Sequence, residues 1–383
     1  MTAQITPSAS TGQRAFAARQ AALRKLRDDA QDCWLDERQL RVVAEIMSEL
    51  PAEHVAARTY SKLNLQPADF PDQTLVPNDL AAIQYAFVAG CQGFFIWVRD
   101  SAGHATPWEI SVGGRHYKGA AGLFACHMRA LARGLNILDP QTLVNMSVAD
   151  IESYYRDEAT GRTTLQNLDG RLAKFHEIGT VLTSRYGGHF ANLLAEADGW
   201  LFRDDGKGVI QALAERLPTA YGDWPFAKLA NVITRGLYQR RAASVPTTPE
   251  FSRLTDFHDA ERFDCGADYY RPFFLMRVGA MTISQRLREH LASEQLMPSE
   301  SAAEHEYRAA TIEACDRLAA LSGTPLFNAT AETWENAFQR CRRCVPGMAE
   351  TELKCPYARV CRAYNTDPEL MRIRWPLTYT LRH

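Results

Sequence analysis

Several absences narrow the field before any motif is read. No stretch of the 383 residues approaches the run of about 18 apolar side chains that a membrane-spanning helix needs, so no membrane partner is expected. Neither sign of charge dominates: 43 Lys and Arg face 45 Asp and Glu, for a net charge of −2. A global electrostatic attraction to nucleic acid is therefore excluded, and any phosphate contact must come from a local patch. The opening MTAQITPSAS lacks the basic-then-apolar order of a secretory leader, which points to a cytoplasmic protein. In that compartment the nine cysteines are expected as thiols or metal ligands rather than disulfides.

What is present is a mainly α pattern with ample core-forming material, since 46% of the residues are hydrophobic. Residues 1–13 are rich in Ser, Thr, Pro and Gly and read as a disordered tail. Residues 14–220 read as a helical region carrying a β-hairpin, and 221–383 as a second helical region. Helices are expected over 14–50, 80–89, 120–133, 147–156, 168–186, 190–202, 209–217, 225–239, 301–321 and 331–340, from apolar residues at helical spacing and from stop signals such as Pro51 and Gly134. Pro67, Pro71 and Pro77 mark a loop. Residues 93–98, an aromatic run, suit a buried strand. Trp108–Val112, Gly113-Gly114 and Arg115–Tyr117 form a small antiparallel hairpin, because paired glycines accept the positive φ of a tight turn.

Two features carry chemistry. The first is the stretch from Asp264 to His290. Asp268 precedes two tyrosines and Pro272, a residue tolerated in a first helical turn. Phe274, Val278 and Met281 then lie on one helix face. A carboxylate just before a helix meets unsatisfied N–H groups, which favour negative charge; an ordinary capping acid has the same pattern. The second is a cysteine cluster. Cys341 and Cys344 are two residues apart, ten residues separate Cys344 from Cys355, and five separate Cys355 from Cys361. Four soft ligands gathered this way suit one metal centre, either a [4Fe–4S] cluster or, with a wide second pair, zinc. From Arg340 to Arg382 nine Lys and Arg face four Asp and Glu, a local basic segment able to meet phosphates.

Several segments together carry a resemblance: Gly114-Arg115-His116-Tyr117-Lys118-Gly119, Tyr154-Tyr155-Arg156, Arg185-Tyr186-Gly187-Gly188 with Phe190, Ala267-Asp268-Tyr269 with Pro272 and Leu275, and Arg372-Ile373-Arg374. In these the chain resembles the queuosine-salvage proteins, nucleoside N-glycosylases that release the base queuine. The resemblance implies that Asp268 is the catalytic carboxylate. It also implies similarity to helix-hairpin-helix DNA glycosylases, whose Asp precedes a helix with an Arg-Val step, as in Arg277-Val278. Lys228-Leu229-Ala230-Asn231-Val232 is similar to a Lys-x-Ala-Asn-Val segment in a branch of those enzymes that also carries a C-terminal four-cysteine [4Fe–4S] loop, with different spacing. Gly266, Ser61 ahead of Leu63-Asn64, and Glu335 beside Trp334 depart from the queuosine-salvage pattern, which suggests the same reaction on another base.

The expected chemistry is cleavage of an N-glycosidic bond through an oxocarbenium-like state. Asp268 would stabilise the positive charge or orient a water. Lys228 would attack as a neutral amine or hold a phosphate as a cation. Tyr269 and Trp334 would stack on the base and Glu335 would bond its edge, with Phe95 and Arg374 completing the substrate-binding set. The leading expectation is a DNA glycosylase that excises a modified base, in repair or in defence against viruses with hypermodified DNA. The base would be swung out of the duplex. The alternatives are a glycosylase acting on queuosine 5'-phosphate or a related free nucleotide, and a non-catalytic nucleic-acid-binding module.

Overall fold

A computed structural model of the chain describes residues 12–51, 75–76, 78–101, 104–242, 247–293, 295–345 and 347–382. Residues 1–11 of the expected tail, Ser61, Leu63 and Asn64, and the loop prolines 67, 71 and 77 lie outside the described residues. The protein is mainly helical, with three short antiparallel strand pairs among the described residues. The chain divides into two units: Met1–Arg19, Asn64–Phe263 and Thr380–His383 form one, Gln20–Leu63 and Asp264–Tyr379 the other. The sequence suggests a boundary at 220/221, and each of these units is assembled from more than one stretch of chain.

In the first unit the helix Asp79–Gly90 begins where the Asn78 side chain accepts the Ala81 N–H at 2.8 Å. Such a cap contributes about 1 kcal/mol. All residues from Ala82 to Ala89 are buried, so this helix is covered on every side. The helix Leu168–Arg185 packs on Pro140–Asn145 at Gly179, where a Cβ would stand 2.6 Å from the Pro140 carbonyl oxygen. The expected hairpin forms: Glu109–Val112 pairs with Arg115–Lys118, and Gly113 and Gly114 turn the chain at φ 58° and 73°. The capping box of Ser147 and Asp150 also forms.

The expected strand at 93–98 does not. Only Trp97–Arg99 pairs, with Ala105–Pro107, and Phe95 takes a left-handed φ of 48°. Basic side chains hold that segment instead, Arg171 and Lys174 buried and Lys228 half-buried. Arg171 donates to the carbonyls of Gln92, Phe94 and Phe95, Lys174 to that of Cys91, and Lys228 to that of Gly93. The helix expected over 190–202 stops at Ala197, where Asp198 turns left-handed.

In the second unit Asp36 caps the helix Glu37–Glu49 by accepting the Gln39 N–H at 2.9 Å. Its apolar face, with Leu40, Val43 and Met47 buried, packs on the helix Ala302–Ser322. Cys33–Leu35 pairs with Met281–Ile283, a long-range pairing that no local pattern announces. The helix Tyr270–Val278 is the core element, and all its residues are buried, Arg271 and Arg277 included. A charged group inside an apolar shell must find polar partners, and those partners define the site.

Candidate active site

The turn before Tyr270–Val278 is built from the sequence Asp264-Cys265-Gly266-Ala267-Asp268. Gly266 sits at φ 63°, and the Asp264 carboxylate accepts its N–H at 2.6 Å. This turn delivers Asp268 to the helix entrance. Asp268 Oδ1 accepts the N–H groups of Tyr270 at 2.9 Å and Arg271 at 3.3 Å. Oδ2 faces Arg271 Nη1 at 3.2 Å. Arg271 is itself fixed, donating from Nη1 to the Gly266 carbonyl at 3.1 Å and from Nε to the Thr330 carbonyl at 3.3 Å. Burial alone would depress the Arg271 pKa, but the acidic groups around it, Asp268 foremost, together hold the guanidinium above its usual value. Pro272 is the third helical residue, where its missing N–H costs nothing.

Aromatic rings gather beside this carboxylate. Tyr269 and Tyr270 are neighbours at 4.7 Å between centroids, and Tyr270 meets Trp375 at 4.9 Å, Trp334 at 5.4 Å and Phe338 at 5.4 Å. Trp334 stacks on Phe338 at 5.0 Å and 17°, and the Arg342 guanidinium lies 4.9 Å over the Phe338 ring. Burial, reinforced by Tyr270 and Asp268, pushes the Tyr269 hydroxyl well above its usual value, so it remains a hydrogen-bond donor. Of the residues singled out in the sequence, Asp268, Tyr269 and Trp334 come together here. Glu335 is buried on the same helix as Trp334. Arg271, Phe338, Arg342 and Trp375 escape the sequence reading. The i,i+3 spacing of Asp268 and Arg271 and the i,i+4 spacing of Trp334 and Phe338 are the signals that find them.

The remaining expected residues have other surroundings. Lys228 and Phe95 belong to the first unit. Lys228 Nζ donates to the Gly93 carbonyl at 2.9 Å, and the Phe95 ring is buried 4.5 Å from that of Trp97. Arg374 is exposed and donates to the Met371 and Arg372 carbonyls, both at 3.3 Å. Within the basic segment, Arg359 pairs with Glu49, Arg362 with Asp36 and Arg372 with Glu369.

Cys341, Cys344, Cys355 and Cys361 converge on the far end of the Tyr270–Val278 helix. All nine cysteines of the chain are unpaired thiols. Burial pushes the Cys355 thiol up to about 12 and Cys341 well above its usual value, and neighbouring thiols of the cluster push the same way. The Cys361 thiol donates to the Arg277 backbone carbonyl at 3.3 Å. Among the described residues no three His, Cys, Asp or Glu side chains are closed into a shell that would hold a metal ion as they stand.

Comparison with known proteins brings this geometry a context. Residues 74–332 match the family model described as queuosine salvage protein. A protein of Nematostella vectensis named queuosine 5'-phosphate N-glycosylase/hydrolase is 26% identical over 262 residues, which cover 64% of this chain and 69% of that protein. One of the same name from Sphaerobacter thermophilus is 25% identical over 306 residues, 77% of this chain and 83% of that protein. A third, from Bos taurus, is 22% identical over 272 residues, 70% and 74% of the two chains.

Proposed function

Because the chain belongs to the queuosine salvage protein family, we propose that it is a hydrolase of N-glycosyl bonds acting on queuosine 5'-phosphate or a closely similar free nucleotide. The observation that carries the reading is the Asp268 carboxylate, oriented by two helix N–H groups and by Arg271 beside a cluster of rings. As the bond between base and sugar breaks, positive charge develops at the anomeric carbon. A negative oxygen already oriented stabilises that charge without reorganising during the step. The same carboxylate aligns the water that completes hydrolysis, and the departing base takes up the proton.

The rings of Tyr269, Trp334 and Phe338 supply flat faces for the base. Arg342 is the cation we assign to the 5'-phosphate, since its guanidinium already lies over the Phe338 ring. Lys228 acts here by holding the Gly93 carbonyl rather than as a nucleophile.

The leading expectation of a modified base in DNA gives way to its alternative. The relatives bear the name of enzymes acting on a free nucleotide. Arg359, Arg362 and Arg372 are committed to carboxylates within the fold, which weakens the basic segment as a backbone-tracking surface.

The test offers the protein queuosine 5'-phosphate, queuosine, and duplex DNA carrying a modified deazaguanine, and identifies any released base by mass. Queuine from the phosphate, with little from the nucleoside and none from DNA, is the expected result. Release from DNA alone would overturn the reading.

A further inference from the structure

We infer that Cys341, Cys344, Cys355 and Cys361 bind a metal centre as thiolates, and that Arg277 is the built-in countercharge of that centre. The starting observation is Arg277 rather than cysteine spacing. This guanidinium is 3% exposed, and an arginine does not lose its proton in a protein. It donates to the carbonyls of Cys344 at 3.0 Å, Met371 at 2.7 Å and Ile373 at 3.2 Å, and lies 4.7 Å over the Phe273 ring. Its Nε–H is buried without a partner. Among the described residues no carboxylate is ion-paired with it, and the Cys361 thiol donates to its backbone carbonyl at 3.3 Å. The Cys344 N–H donates to the Cys341 carbonyl at 3.3 Å, and Arg340, next to Cys341, donates to the carbonyl of Lys354, next to Cys355, at 3.0 Å, which brings the four cysteine segments together.

Carbonyls and a ring face offset part of the cost of desolvating this cation, and no negative charge among the described residues offsets the rest. Four thiolates around a zinc ion, or around an iron–sulfur core, carry more negative charge than the metal neutralises. Such a centre supplies the missing partner. On ligation each S–H bond gives its proton to solvent and each sulfur donates a lone pair to the metal, with no change of oxidation state.

Two local features suit that role. The buried Tyr357 hydroxyl has no partner. The chain reaches Cys341 through a π-helical turn, Ala337–Cys341, a rare form that recurs at functional sites. Closing the shell requires the four side chains to turn inward from where they stand. Both metals satisfy this chemistry, and the experiment separates them.

The test is metal analysis of the full chain, purified without oxygen from medium holding both iron and zinc. About four iron and four sulfide per chain, with a brown colour and absorbance near 400 nm, supports the inference with an iron–sulfur cluster. About one zinc per chain and no colour supports it with zinc. The double variant Cys355→Ser/Cys361→Ser should fall at least about tenfold in metal content, while Cys265→Ser, outside the cluster, keeps it. Arg277→Met should release its metal to a chelator about tenfold faster than wild type. A folded wild-type chain with neither metal, whose four thiols react freely with a thiol reagent, overturns the inference. Full metal content in the double serine variant overturns it equally.

Discussion

Asp268 and Arg277 stand at the two ends of one buried helix, roughly 13 Å apart along its axis at about 1.5 Å per residue. The first takes two N–H groups at the entrance, and the second meets Cys344 and Cys361 near the exit. A helix buried on every side moves as a unit. Under the proposed function, whatever fixes its far end also bears on where the Asp268 carboxylate points.

Asp268→Asn preserves shape and most hydrogen bonding but removes the charge that opposes an oxocarbenium-like state. Base release should fall about 10³-fold, near 4 kcal/mol of barrier, with nucleotide binding retained. Single-turnover rates together with equilibrium binding of the nucleotide check this. Undiminished turnover would remove Asp268 from the mechanism.

Arg271→Met leaves the Asp268 carboxylate facing an apolar side chain. Loss of one partner from a buried pair costs about 3–5 kcal/mol. Much of that should return in the double variant Asp268→Asn/Arg271→Met, since the uncompensated charge is then gone as well. Urea unfolding of both single variants and the double reads the coupling, expected at about 1–3 kcal/mol. Strict additivity would mean that the two side chains do not act as a pair.

Arg342→Gln should raise the KM for a nucleotide 5'-phosphate about tenfold, the low end for losing a charge-assisted hydrogen bond, and leave the KM for the nucleoside unchanged. Equal changes for both substrates would place Arg342 elsewhere than on the phosphate.

His127 should make the first unit sensitive to acid. Its ring is fully buried against Tyr154, and burial lowers its pKa from 6.5 to about 3. Above pH 6.5 the ring is neutral folded or unfolded, and its contribution is intact. As pH falls below 6.5 the unfolded chain takes up a proton that the folded chain refuses, so stability declines until about pH 3. The loss attributable to this residue at pH 4 is on the order of 3 kcal/mol. Urea midpoints measured from pH 7 to 4 should fall less steeply in His127→Phe than in wild type; parallel slopes would contradict the assignment.

Much of the local structure is legible in the chain itself. Asn78, Ser147 and Ser301 mark helix starts because a side-chain oxygen two or three residues ahead of an open N–H has little else to do. Gly113-Gly114 dictates the hairpin for a similarly local reason. Asp268 is conspicuous as an acid before an apolar helix, and the four cysteines by their density. The aromatic run at 93–98 misleads, since its backbone serves basic side chains from Leu168–Arg185 and Lys228–Ala242 rather than a strand partner.

The sequence by itself determined that the chain is mainly helical, where Asn78, Ser147 and Ser301 open helices, and which acid stands at the entrance of the central helix, because those depend on neighbours within one or two turns. Only the tertiary structure decided that the Thr330 carbonyl holds Arg271 beside that acid, that Trp334, Phe338 and Trp375 close around Tyr270, and that Arg277 meets the Cys344, Met371 and Ile373 carbonyls. Those relationships join segments tens of residues apart. They arise from buried charges that must each find a polar partner once water is gone, and periodicity carries no information about which distant segment will supply it.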